Sequence, residues 1–69
     1  MQGKFPFDEE IEDYMLLFFD SLNEKDRRHY LALEAKKLGH GGIKYLSELF
    51  EVSEQTIRRG LEDLDKKND

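Results

Sequence analysis

No cysteine occurs in this chain of 69 residues, so neither a disulfide framework nor a thiolate metal site can hold it together. A chain this short buries only about 60% of the surface its unfolded form exposes. Without a staple it depends on dense packing of large apolar side chains. The two histidines, His29 and His40, are too few for a structural metal centre, which is built from several His or Cys ligands. The sequence therefore implies no metal and no other cofactor. Five Phe, three Tyr and the leucines have to form the core.

The pattern of those residues predicts helices. Pro6 is the single proline, charged residues make up 39% of the chain, and no Asn-Gly or Asp-Gly pair marks a hairpin. No segment alternates with the period of a strand. A first helix is expected over about 8–21. Asp8 is a good N-cap, and Glu9, Glu10 and Glu12 suit the positive end of a helix dipole. Ile11, Tyr14, Met15, Phe18, Phe19 and Leu22 then recur at helical spacing, widened by Leu16 and Leu17. This stripe is read as core; any part left outside would serve a homodimer or an adjoining domain. A second helix is expected over about 24–38, capped by Asn23 and stopped by Gly39. Gly39-His40-Gly41-Gly42 reads as a turn. It lacks the preceding strand and the Gly-Lys-Ser/Thr ending of a phosphate cradle. His40 in this turn reads as solvated.

Helices over about 43–50 and 54–66, joined by Glu51-Val52-Ser53, form a helix-turn-helix. Leu46, Phe50, Val52 and Ile57 must face inward around such a turn, with Leu49, Leu61 and Leu64 extending the core. Ser47 is small where that helix approaches the second. Glu51 stands where glycine is usual, which predicts a turn without positive φ or one under strain. Gly60 costs the last helix about 1 kcal/mol relative to Ala, and a close approach by the first or second helix would explain it. The whole reads as one domain, 1–69: an all-α, four-helix fold in which a three-helix helix-turn-helix core follows an N-terminal helix.

In this motif the last helix enters the DNA major groove with its N-terminal turns towards the base edges. Its outward positions are Glu54, Gln55, Arg58, Arg59 and Glu62. Arg donates two hydrogen bonds to guanine, and Gln pairs with adenine. Arg58 and Arg59 are the leading candidates for base or phosphate contact, followed by Gln55. Ser53 and Thr56 lie where phosphates pass. Lys44 and Tyr45 open the third helix, which crosses the DNA backbone. Contacts there position the protein without reading sequence.

Charge complicates this reading. The net charge is −5, whereas DNA-binding domains present a basic face. Its distribution is uneven: residues 1–22 carry one base and six acids, residues 23–44 six bases and three acids, and residues 45–69 four bases and seven acids. Attraction to phosphate has to come from a minority of the surface, around Lys25, Arg27, Arg28, Lys36, Lys37 and Lys44.

Residues 22–64 resemble the N-terminal region of bacterial insertion-sequence transposases with an azo-type DDE catalytic domain. The resemblance rests on Leu38-Gly39-His40-Gly41-Gly42-Ile43 and Val52-Ser53-Glu54-Gln55-Thr56-Ile57-Arg58-Arg59-Gly60. It implies a head that recognises the ends of the element in double-stranded DNA. The metal-bound acidic triad of such enzymes lies further along the chain and has no counterpart here.

Two other functions are weighed against DNA binding. A protein-interaction module is favoured by the negative charge and would use the first helix. An enzyme is disfavoured: the pairs Glu9/Glu10 and Glu62/Asp63 fall on outer helix faces, no nucleophile neighbours a histidine, and so short a chain leaves little room for a pocket. The longest apolar run, Met15 to Phe19, falls far short of the roughly 20 residues of a membrane span. No leader pattern is visible, and the chain reads as cytoplasmic.

Overall fold

A computed structural model describes residues 6–67. Within them the chain forms four helices and no strand: α1 (Glu9–Asp20), α2 (Glu24–Leu38), α3 (Gly42–Phe50) and α4 (Glu54–Lys67). This is the all-α class, with a helix-turn-helix in its second half, that the apolar periodicity predicts. No helix among the described residues is long and apolar enough to cross a membrane.

Local chemistry sets the boundaries. Asp8 and Asn23 hold extended backbone, and their side chains accept from the N–H groups of Ile11 at 3.0 Å and Asp26 at 2.8 Å. Each satisfies a donor that the first turn leaves open. α2 ends at Gly39, at φ 74°, and α3 opens after Gly41, at φ 84°. These left-handed angles are open to glycine without penalty. The end of α1 is capped from outside: Nε and Nη2 of Arg27 donate to the carbonyls of Phe19 and Asp20, both at 3.0 Å. The same guanidinium lies 5.0 Å from the centre of the Phe19 ring, a cation–π contact.

The core gathers at α2, which packs against each of the other three helices. Leu31, Leu46 and Ile57 are fully buried, surrounded by Met15, Phe19, Ala35 and Phe50. The rings of Phe19 and Phe50 lie 4.7 Å apart, which joins α1 to the end of α3. α2 and α4 make the closest approach. A Cβ on Gly60 would stand 2.4 Å from the Arg28 carbonyl oxygen and 3.0 Å from the Ala32 Cβ. The second helix is thus the reason for glycine at this position.

The stripe on α1 divides. Met15 and Phe19 are buried, while Ile11, Tyr14, Leu17 and Phe18 are exposed, so the reading of the stripe as core holds for its inner half alone. Glu9, Glu10 and Glu12 lie in the first turn of α1, as the dipole reading expects, but the three are not alike. Glu12 is buried and accepts a 2.6 Å hydrogen bond from the Tyr45 hydroxyl on α3. Burial and this bond push the Tyr45 pKa well above its ordinary value. Glu34 is buried too. One of its oxygens lies 3.4 Å from Lys37 Nζ, and the other has no hydrogen-bond partner among the described residues. An unsatisfied buried acceptor costs about 1–3 kcal/mol. Burial, with the Glu34 charge adding to it, raises the pKa of Tyr30 to about 12.

Candidate nucleic-acid interface

The unit α3–turn–α4 is held by its own backbone and by one hydroxyl. The N–H groups of Glu51 and Val52 both bond to the Ser47 carbonyl, the latter at 3.1 Å. Glu51 takes φ 57° and ψ 46°, a left-handed conformation that costs a residue with a Cβ about 1–2 kcal/mol. Of the two expectations for this position, strain is the one observed. Ser53 Oγ accepts from the Thr56 N–H at 3.1 Å and lies 3.0 Å from the Thr56 hydroxyl. Ser53 therefore caps α4, and the two hydroxyls share one corner of its N-terminus.

α4 is fixed on the body by its inner edge. Beyond Gly60, Arg28 Nε donates to Asp63 Oδ2 at 3.0 Å, and His29 Nε2 stands 3.5 Å from the same oxygen. The Arg28 hydrogen bond, with His29 adding to it, holds the Asp63 carboxyl below its ordinary pKa. Ile57 points into the core. The opposite face is left to solvent and carries Gln55, Arg58, Arg59 and Glu62, all exposed, as the 3.6-residue period requires. Arg58 Nη2 reaches back one turn to Glu54 Oε1 at 3.2 Å. Arg59 makes no hydrogen bond or ion pair among the described residues. Gln55, Arg59 and Glu62 line a shallow polar cleft of about 380 Å³ whose other wall is Arg28 and Asp63.

The expected contact residues thus fall into two groups. Gln55, Arg58 and Arg59 share the outer face of α4, with Ser53 and Thr56 at its start. Lys44 is exposed on the first turn of α3. Tyr45 is turned the other way: it is half-buried, its hydroxyl donates to Glu12, and its ring lies 6.3 Å from that of Phe7. The basic cluster is also smaller than its sequence count. Arg27 is engaged with the end of α1, Arg28 with Asp63, and Lys37 with Glu34. Sequence reasoning passed over the Arg28–Asp63 tie, whose partners stand 35 positions apart, because no local pattern marks a pair so distant.

No curated protein and no solved structure matches the chain. Residues 27–69 match the model of the DeoR-like helix-turn-helix domain. This overturns the resemblance to transposase heads. The two segments that carried the resemblance are those that the geometry explains without reference to any one family: glycines at positive φ between α2 and α3, and a serine-capped helix with Ile57 inward and arginines outward. The match spans well over half of the sequence, and the chain belongs to the DeoR-like helix-turn-helix family.

Proposed function

We propose that this chain is the DNA-reading part of a transcription regulator, docking α4 in the major groove of double-stranded DNA. The observation that carries the reading is the outer face of α4. Gln55, Arg58 and Arg59 stand exposed there on a helix that Gly60, Ile57 and Asp63 anchor from the other side. Arginine and glutamine are suited to paired hydrogen bonds with guanine and adenine edges. The family match supports the regulator reading over transposition.

The proposed roles follow from placement. Arg59, which has no partner among the described residues to give up, contacts a base edge. Arg58 does so after exchanging Glu54 for DNA, and Gln55 reads beside them. Ser53 and Thr56 meet phosphate at the N-terminus of α4, where open backbone donors and the helix dipole favour an anion. Lys44 meets the backbone from α3. Tyr45 acts on α3 indirectly, through its bond to Glu12. The activity is binding, with no chemical step.

Selection of bound duplexes from a randomised pool tests this. The intact chain should enrich a defined sequence. Arg59→Ala should relax the preference at one position, and Lys44→Ala should weaken all sequences alike. Enrichment of no sequence, or a preference unchanged in Gln55, Arg58 and Arg59 variants, would overturn the reading.

A further inference from the structure

α1 carries an apolar ridge that the fold leaves in solvent. Ile11, Tyr14, Leu17 and Phe18 are 43%, 63%, 67% and 51% exposed. Ile11, Tyr14 and Phe18 are spaced i, i+3, i+7 and share one side of the helix, with Leu17 beside them. Phe18 meets Tyr30 edge-on at 5.2 Å. Leu33, 52% exposed, stands one turn beyond Tyr30 on α2. A single exposed leucine is ordinary on a protein surface. Five large apolar side chains exposed on so small a domain, four of them along α1, are what an interaction site presents.

Charge selects what that face accepts. α1 contains no Lys or Arg, and Glu9, Glu10, Asp13 and Asp20 are all exposed along it. A second copy using the same face would set these carboxylates against one another, which opposes association. We propose that the α1 ridge docks an amphipathic helix of another protein, one whose apolar stripe is flanked by Lys and Arg. Apolar side chains of the incoming helix would lie along the ridge, and its cations would meet the acidic border. The site lies apart from the groove-facing residues. α1 joins the body through Tyr30, Tyr45 and Phe50 on α2 and α3, and it falls outside residues 27–69 of the family match. A partner held there leaves the outer face of α4 free, so docking and DNA binding can coexist. The inference does not rest on the DNA-binding reading.

The test is an NMR titration of the ¹⁵N-labelled chain with a synthetic helical peptide carrying a leucine stripe flanked by lysines. A second peptide has glutamate in place of every lysine. The expected result is amide shifts confined to α1 and the Leu33 turn of α2, with affinity falling as salt is raised. The glutamate peptide and the Leu17→Ser chain should each bind at least tenfold more weakly. Leu17 is the most exposed of the five, so its loss spares the core. Tyr14→Ser should act in the same direction and guards against an effect peculiar to one variant. Four results would overturn the proposal: no shifts at saturating peptide, shifts on α4 alone, equal affinity for the two peptides, or self-association of the chain through Ile11 to Phe18 in sedimentation.

Discussion

Gly60→Ala separates the demands of a single helix from those of the packed fold. In an isolated helix the change is favourable by about 1 kcal/mol, because glycine is the poorer helix former. In this fold the new methyl would sit 2.4 Å from the Arg28 carbonyl oxygen, 3.1 Å from its carbonyl carbon and 3.0 Å from the Ala32 Cβ. Two of these three atoms are backbone, so no rotamer change relieves the contact. Restoring ordinary van der Waals separation requires α2 and α4 to part by about 1 Å. Overpacking of this kind costs about 1–3 kcal/mol, and backbone resistance puts the site at the upper end. After subtracting the propensity gain, we expect Gly60→Ala to destabilise the domain by about 1–2 kcal/mol. A domain of this size then melts about 5–15 °C lower. Urea unfolding followed by far-ultraviolet circular dichroism reads this as a lower midpoint at unchanged slope. Parting the helices also strains the 3.0 Å Arg28–Asp63 bond, so DNA affinity should fall as well. A Gly60→Ala chain as stable as the parent, or more stable, would show that helix propensity decides here and would refute the close approach.

Two further changes test local features. Glu51→Gly removes the left-handed penalty of about 1–2 kcal/mol and returns about 0.4–1 kcal/mol through the freer unfolded chain. The net expectation is a gain of about 0.5–1 kcal/mol, seen as a melting point raised by roughly 4 °C; a lower melting point would contradict it. Asp63 has a folded pKa held below its ordinary 3.8 by Arg28 and His29. Its contribution to stability is therefore complete above that value and disappears as pH falls through the lower folded one. Asp63→Asn should be less stable than the parent at neutral pH, with the gap closing in acid. Parallel stability curves for the two chains would count against the tie.

Features confined to a few neighbouring residues were legible in the sequence. Asp8, Asn23 and Ser53 cap helices because a short polar side chain before an amphipathic run has few other local uses. Gly39 and Gly41 mark a turn because they accept positive φ, and Leu46, Phe50 and Ile57 follow from the helical period. The absence of a side chain at position 60 even pointed to a close neighbour. Contacts between distant segments were not legible. An acid in a first turn is normally solvated, and nothing near Glu12 in the sequence announces that Tyr45 will bury it and donate to it. The same distance hid the Arg28–Asp63 pair and the engagement of Arg27 with α1, so the count of basic residues overstated the cations available to DNA. On α1 the apolar stripe is wider than the surface α2 and α3 offer, and its periodicity cannot say which half is covered. The segments likened to transposases were the turn and cap chemistry that many helix-turn-helix domains need, which is why they misdirected the family assignment.

Binding of labelled duplex DNA, followed by fluorescence anisotropy at two salt concentrations, tests the central claim most directly. The intact chain should bind, and affinity should fall steeply as salt rises and counterions cease to be released favourably. The Arg58→Ala/Arg59→Ala chain should bind more weakly. Its salt dependence should be shallower, by about one unit of slope for each arginine that neutralises a phosphate in the parent chain. No binding at low salt, or equal binding by the double variant, would mean that α4 is not the DNA-reading helix.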